Sequence, residues 1–411
     1  MKKTKPRIAI LSPSCPPLGA GGVSSAHFNL ALTLKEKGYP IILATFGDQT
    51  SGRCEAGFIY RFGTPWFLKK ILQILLSRFF RWKEPGTLSF QTCDILNSQW
   101  GAWRCRRVLK SFRPDIVIFP DRGCPGLSTD KVGREKTIFI CHHNPARFTS
   151  PLLFHMPLSR RDIKYAVMLE KKSLKGVDCV ICPSSYMAGF FKKSHDYKGP
   201  LHVVPNILNN KLLDDVIPAS VAEKLGMPTD SPVVYIPSGG NSVKGGRYLF
   251  EIIRRIAHVK PGCLFYVSGA QDIVTLYELQ AQGLDERVFW PGHVDYVQNL
   301  AYVASCTLCL SPTLAESFGM ALLEANYLGL PAVAFDVGGN ADIIQNGENG
   351  YLVPLLDIDS LIEKTIFLLH VQNAELLRRM SKCGLNSARA VGSNFSVENY
   401  ERIFENLIQG K

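Results

Sequence analysis

Uncharged apolar runs of four to six residues recur along the chain, and most of them end in a loop of Gly, Pro, Ser, Asn or His. A strand with one wet face alternates apolar and polar residues, so unbroken runs of this kind read as strands buried on both faces. Helical patterns lie between many of them. The arrangement that satisfies both signals is a parallel sheet with helices packed on each side.

The opening shows the unit most plainly. Residues 7–12 read as a strand, 13–22 as a Pro/Gly loop, 24–37 as a helix stopped by Gly38, and 41–46 as the next strand. Further strands are predicted at 116–119, 137–141, 177–182 and 201–204, with a long helix over 159–175. Residues 205–232 carry four prolines and read as a connection, after which a second series starts with strands at 233–237, 264–268, 288–290, 308–310 and 332–335. At 411 residues the chain exceeds a single ordinary core. The expected class is therefore α/β, with two tandem Rossmann-like, doubly wound domains over residues 1–205 and 206–390. In such sheets ligands sit at the carboxyl ends of the strands, which predicts a site in a cleft between the domains.

Charge divides the halves. Residues 1–205 hold 32 Lys/Arg against 13 Asp/Glu, and residues 206–411 hold 15 against 22, so balances of +19 and −7 make up the net +12. The first half is thus suited to an anionic partner. No apolar span is long enough to cross a membrane, and the four-residue run 8–11 is too short for a secretion signal, which together predict a cytoplasmic protein. Among the twelve cysteines, Cys179/Cys182 and Cys306/Cys309 form C-x-x-C pairs. Both fall in strand-like runs, where side chains three apart point to opposite faces, so no metal site is expected from them.

Several segments carry chemistry. Glu316-Ser-Phe318-Gly319-Met320 leads from a strand end into a helix that holds Glu324. Unpaired N–H groups at that helix start suit a diphosphate, and Gly319 allows close approach to the backbone. Ser238-Gly239-Gly-Asn-Ser-Val-Lys244-Gly-Gly is a glycine-rich turn with a lysine at a helix start, a second anion cradle. The loop Pro16-Pro-Leu-Gly19-Ala-Gly21-Gly22 follows the first strand, and His142-His143 follows the strand ending at Cys141. Trp66–Lys83 places Leu68, Ile71, Leu72, Leu75, Leu76, Phe79 and Trp82 on one helical face. Its cations lie opposite, with Trp66, Phe67 and Phe80 as extra aromatics on the polar arc. That is the pattern of an interfacial helix on an anionic membrane, and Arg104 to Lys110 extends the basic patch.

Downstream of Glu324 lie Gly329-Leu-Pro331, Gly338-Gly339 and Asn346-Gly347-Glu-Asn-Gly350-Tyr-Leu-Val. With these motifs, residues 311–357 closely resemble the retaining GT-B glycosyltransferases of family 4. The resemblance implies that Glu316 meets the donor sugar and Glu324 the ribose, with backbone groups of Phe318, Gly319 and Met320 at the sugar and diphosphate. It further implies Lys244 at the diphosphate, Gly21 and Gly22 lining the phosphate and acceptor side, and His142 at the sugar. The family's arginine before that lysine is replaced by Gly239 or a neighbour, with Arg247 as a substitute cation. Asp342 stands where the family has Glu, and Pro205-Asn206 continues as Ile207-Leu208-Asn209. Residues 391–411 resemble the family's terminal helix, which crosses back to the first domain.

The expected activity is metal-independent, cofactor-free transfer of a sugar from a nucleotide-diphosphate donor, with retention, to an acceptor at the inner face of the membrane. A soluble acceptor such as a sugar phosphate is the alternative. Nucleic-acid binding is disfavoured, because the cations of residues 66–83 alternate with large aliphatic residues and no RNA-binding motif occurs. Gly19, Gly21 and Gly22 lack the dinucleotide-binding spacing, which argues against an oxidoreductase.

Overall fold

The computed structural model describes residues 5–16, 21–48, 54–129, 135–150, 153–154, 156–237, 239–391 and 396–410. It divides into two compact units, Met1–Leu208 with Asn394–Lys411, and Asn209–Ser393. Each is an α/β unit around one sheet.

The first unit carries β1 (Ile8–Ser12), β2 (Ile41–Thr45), β3 (Cys54–Glu55), β4 (Ile59–Arg61), β5 (Ile116–Pro120), β6 (Lys136–Ile140), β7 (Cys179–Cys182) and β8 (Leu201–Val203). They run in the order β3-β4-β2-β1-β5-β6-β7-β8. Every pairing is parallel except β3 with β4. Both faces are covered, as the unbroken apolar runs require. Ile8 and Ile10 enter one core with Leu30, Leu34, Ile118 and Ile140, while Ala9 and Leu11 enter another with Phe119, Phe139 and Phe191. Cys179 belongs to the first core and Cys182 to the second, and both are free thiols, so this C-x-x-C pair is split across the sheet. The helix Ser396–Gln409 adds Val397, Tyr400, Ile403 and Phe404 to the first core.

The second unit holds β9 (Val233–Ile236), β10 (Leu264–Val267), β11 (Val288–Phe289), β12 (Leu308–Ser311), β13 (Ala332–Phe335) and β14 (Gly350–Val353), in the order β11-β10-β9-β12-β13-β14 and all parallel. Cys306 lies just before β12 rather than on it and is half-buried, whereas Cys309 is buried on the strand.

Residues 205–232 are more structured than a connection. The boundary along the chain falls between Leu208 and Asn209, and the short helices Asn210–Asp214 and Val221–Lys224 already belong to the second unit. Asn209 and Ser220 cap them by accepting from the N–H groups of Leu212 and Glu223. Asp214 accepts from Tyr327 Oη and pairs with Arg389, each at 3.0 Å.

Candidate functional site

The order of the second sheet turns at β9, which lies between β10 and β12. From there the chain continues to β10 on one side and from β12 to β13 on the other, the switch in strand order at whose carboxyl edge ligands of doubly wound sheets bind. The β9 loop folds into the turn Ser242–Lys244, where Asn241 Oδ1 accepts from Val243 N–H at 2.9 Å. Leu314 N–H donates to Val243 O at 2.9 Å and ties the β12 loop to it.

This stitching brings Lys244 to Glu316, Nζ to Oε2 at 2.5 Å, although 72 residues separate them in sequence. Both are mostly covered, with side-chain exposures of 29% and 17%. The other carboxylate oxygen of Glu316 accepts from Ser317 N–H at 3.0 Å. The loop after β13 passes directly beneath: a Cβ on Gly338, whose φ is +61°, would lie 1.8 Å from Glu316 O, so only glycine fits. The next helix, Met320–Tyr327, begins at Gly319 with φ +109° and no side-chain cap, which leaves its first N–H groups facing outward. Phe318 is 1% exposed, so what it offers a ligand is backbone rather than ring.

Glu324 sits on that helix and is 8% exposed. Tyr296 Oη donates to its Oε1 at 2.7 Å. Burial pushes the carboxyl up to about 7, although the tyrosine bond acts the other way. Asp342 ends the turn Gly338–Asp342 and is exposed. Arg247 is exposed on the turn Gly246–Tyr248, its guanidinium 5.9 Å from the Tyr248 ring centroid. Gly239 lies at the start of the β9 loop, packed so that a Cβ would fall 2.2 Å from a Val267 methyl. Ser238 lies outside the described residues, as do Pro17 to Ala20 of the first glycine loop, Gly19 included, and Phe395.

In the first unit, Gly21 precedes the helix Gly22–Glu36 with φ +134° and no side-chain cap. Arg61 holds the β1 loop that leads there. Its guanidinium donates to Cys15 O at 2.9 Å and Pro16 O at 2.8 Å, and pairs with Asp48 and Glu55 at 2.9 and 2.8 Å. His142 is 3% exposed, with Nε2 at 2.9 Å from Asn206 Oδ1 and its ring edge-on to His27 at 5.2 Å. Burial draws both histidines down, so both are neutral at pH 7. An amide oxygen only accepts, which puts the His142 proton on Nε2 and leaves the buried Nδ1 without a partner among the described residues. His143 is occupied by Gln91 Oε1 at 2.7 Å and packs on Phe148.

The structure therefore brings together Lys244, Glu316, Phe318, Gly319, Met320 and Glu324 in the second unit, and places Gly21, Gly22 and His142 in the first. Sequence reasoning missed Tyr296 and Arg61. Tyr296 had a signal, since it follows β11 and the helix cap Asp295. Arg61 had none, because only the β3–β4 pairing puts Glu55 beside it.

The helix Trp66–Lys83 forms over the residues expected, with one correction. Phe80, assigned to the polar arc, is its one buried residue and packs near Phe79 and Tyr165. The apolar residues exceed one face. Leu68, Leu72, Leu76 and Phe80 make a stripe that turns inward, while Trp66, Phe67, Ile71, Ile74, Leu75, Phe79 and Trp82 stay 39–72% exposed. The neighbouring helix Gln91–Phe112 packs against it and exposes Trp100 and Trp103, their rings 5.7 Å apart. No helix among the described residues is long and apolar enough to cross a membrane.

Comparison with known proteins covers both halves. Residues 20–211 match the family model Glycosyltransferase Family 4, and residues 220–386 match Glycosyl transferases group 1. The N-acetyl-alpha-D-glucosaminyl L-malate synthase of Bacillus anthracis is 25% identical over 51% of this chain and 54% of its own. The phosphatidyl-myo-inositol mannosyltransferase of Mycobacterium leprae is 31% identical over 31% of this chain and 34% of its own. These matches thus span about half and a third of the relatives' lengths. Anabaena Alr3699/HepE, solved with UDP and glucose, superposes with a TM-score of 0.69 at 17% identity, covering 98% of this chain and 100% of that one. Two Rossmann-like sheets, and two family models laid end to end along them, lead to one assignment: the chain belongs to the GT-B glycosyltransferases of family 4.

Proposed function

We propose that the chain is a retaining, metal-independent transferase that takes a sugar from a nucleoside-diphosphate donor and passes it to an acceptor at the cytoplasmic membrane surface. The observation that carries the donor half is the Lys244–Glu316 pair beside the uncapped start of Met320–Tyr327. In this reading Glu324 accepts from the ribose diol. Two ribose O–H donors would favour its ionised form and offset the burial that now disfavours it. Glu316 holds sugar hydroxyls. On donor binding, Lys244 is shared between that carboxylate and the diphosphate, and with the helix N–H groups it stabilises charge on the departing phosphate. Gly21, Gly22 and the bare Nδ1 of His142 are assigned to the acceptor and sugar side. Retention requires the leaving diphosphate and the incoming hydroxyl on one face of the sugar. Anabaena Alr3699/HepE, solved with UDP and glucose, supports the donor class.

The membrane half rests on the helix Trp66–Lys83, whose exposed apolar stripe is flanked by Lys70, Arg78, Arg81 and Lys83. Burying exposed aromatic and aliphatic side chains at a lipid interface is favourable, and each surface cation adds about 1 kcal/mol on an anionic leaflet. The mannosyltransferase relative carries a phosphatidyl lipid in its name. A soluble acceptor is the second reading, supported by the L-malate in the name of the other relative.

The deciding assay incubates the chain with labelled UDP-, GDP- and ADP-sugars and anionic vesicles that carry a bacterial lipid extract. Label is expected in the organic phase with one donor, and lost with a Leu75→Glu, Trp82→Ser variant. Label confined to the aqueous phase with every donor would overturn the membrane half of the reading.

A further inference from the structure

A second group of reactive side chains lies inside the first unit, apart from the residues assigned to transfer. Asp121 directly follows β5 and Cys141 directly follows β6; the register Pro120↔Ile140 sets the two side by side. Glu170 comes from the helix Arg160–Ser173, and His195 follows the helix Ser185–Ser194. All four are buried, at 3%, 0%, 0% and 5% exposure. A carboxylate oxygen of Asp121, the Cys141 sulfur and a carboxylate oxygen of Glu170 lie within 4.8 Å of one another. His195 Nε2 is 3.6 Å from Glu170 Oε2.

Hydrogen bonding does not account for this group. Neither oxygen of Glu170 has a hydrogen-bond partner among the described residues, and neither does His195 Nε2. Buried polar atoms left this way are costly, and two carboxylates in one pocket repel. Yet the surroundings hold the donors in place. Asp121 accepts from the N–H groups of Arg122, His143 and Asn144 at 2.7, 2.6 and 2.8 Å. His195 Nδ1 is engaged by Ser194 Oγ at 2.9 Å, and its ring stacks on Phe191 at 4.6 Å, which holds Nε2 on the Glu170 side. Outer partners that fix orientation and tautomer are what metal-ligating carboxylates and histidines require.

We propose that Asp121, Cys141, Glu170 and His195 hold a zinc ion inside the first unit. One sulfur, one imidazole nitrogen and two carboxylate oxygens suit a borderline-soft cation, whereas calcium and magnesium prefer oxygen alone. Tetrahedral zinc spaces its ligand atoms about 3.4–3.6 Å apart, so Asp121, Cys141 and Glu170 need close by little more than about 1 Å, while His195, beside Glu170 but outside that group of three, must swing in to complete the set. The ion's two positive charges offset two of the three negative charges of the carboxylates and the thiolate, whose ionised forms burial otherwise disfavours. It ties β5 and β6 to two helices and takes no part in sugar transfer. Because the site is closed to solvent, zinc enters as the unit folds.

The competing account is a proton: burial pushes Glu170 up to about 7, so a neutral Glu170 also relieves the repulsion. Glu170→Gln separates the two, since glutamine copies a protonated glutamate but ligates zinc poorly. The full chain is expressed with zinc, gel-filtered and assayed by mass spectrometry, alongside Glu170→Gln, Cys141→Ser and Cys383→Ser, the last removing an exposed thiol. About one zinc per chain is expected in wild type and Cys383→Ser, with at least a tenfold loss in the other two. Protein made with cobalt instead should show thiolate-to-metal charge transfer, a readout on the wild-type chain that stands even if a variant does not fold. Wild-type protein with negligible zinc, cobalt protein lacking that band, or Glu170→Gln that keeps its zinc each overturns the proposal.

Discussion

Replacing Glu324 by Gln should stabilise the second unit and weaken its hold on the donor. The carboxyl is 8% exposed, and burial raises it from 4.5 to about 7 in the folded protein. Between those values the unfolded chain has released the proton while the native chain keeps it. The native state then binds more protons, and stability falls as pH rises. Below about pH 4.5 the effect is absent; above about pH 7 it is complete. A shift of roughly 2.5 units at about 1.36 kcal/mol each makes the ionised glutamate cost about 3 kcal/mol. Glutamine still accepts from Tyr296 Oη through its carbonyl, so the substitution removes the charge and keeps that bond. The variant should melt roughly 5–10 °C above wild type at pH 8, with the gap closing toward pH 4.5. Its affinity for the donor nucleotide should drop about tenfold or more, the loss of charge-assisted bonds to a diol. Differential scanning calorimetry from pH 4.5 to 8.5 and nucleotide titration measure both. A variant less stable than wild type at pH 8, or one that binds nucleotide equally well, would show that Glu324 is not a buried ribose acceptor.

Other perturbations act elsewhere in the fold. Arg61→Met leaves Asp48, 8% exposed, and two loop carbonyls without their donor, so the first unit should lose about 3–5 kcal/mol in urea unfolding. Gly338→Ala forces a Cβ toward Glu316 O at a positive φ, and should cost more than about 2 kcal/mol and lower donor affinity by displacing Glu316. Leu75→Glu with Trp82→Ser changes two residues at least 60% exposed, so melting should stay within about 1 °C while co-sedimentation with anionic vesicles disappears. Phe80→Ala on the same helix should do the reverse, lowering stability by about 3–5 kcal/mol because this ring is the buried anchor.

What sequence could reveal followed from burial. Strands covered on both faces, such as β1, β5 and β12, are apolar up to their last residue and bounded by loop residues, and their positions were legible to within a residue or two. The β3–β4 pair was not, because a two-residue and a three-residue strand at a sheet edge have no room for a pattern. The helix Gln91–Phe112 was hidden by its polar content and by Gly101, a poor helix former that stays because a Cβ there would lie 1.9 Å from Phe46 O. The donor-site motifs could be ordered along the chain, but the Lys244–Glu316 contact could not be read, since it exists only because β9 and β12 are neighbours in the sheet. Phe80 was misplaced for a related reason: a helix apolar over more than half its circumference does not announce which stripe packs inward.

The β9 and β12 loops, with the start of the helix Met320–Tyr327, should together bind a nucleoside diphosphate sugar. Isothermal titration of UDP, GDP and ADP, each free and sugar-linked, into wild type, Glu324→Gln and Lys244→Ala tests it most directly. Wild type should bind one nucleotide series saturably, weakened about tenfold or more by either substitution, and with the matching nucleoside titrated alongside, the Lys244→Ala loss should be greater for the diphosphate than for the nucleoside. No binding of any nucleotide by wild type, or binding that both variants leave unchanged, would contradict it.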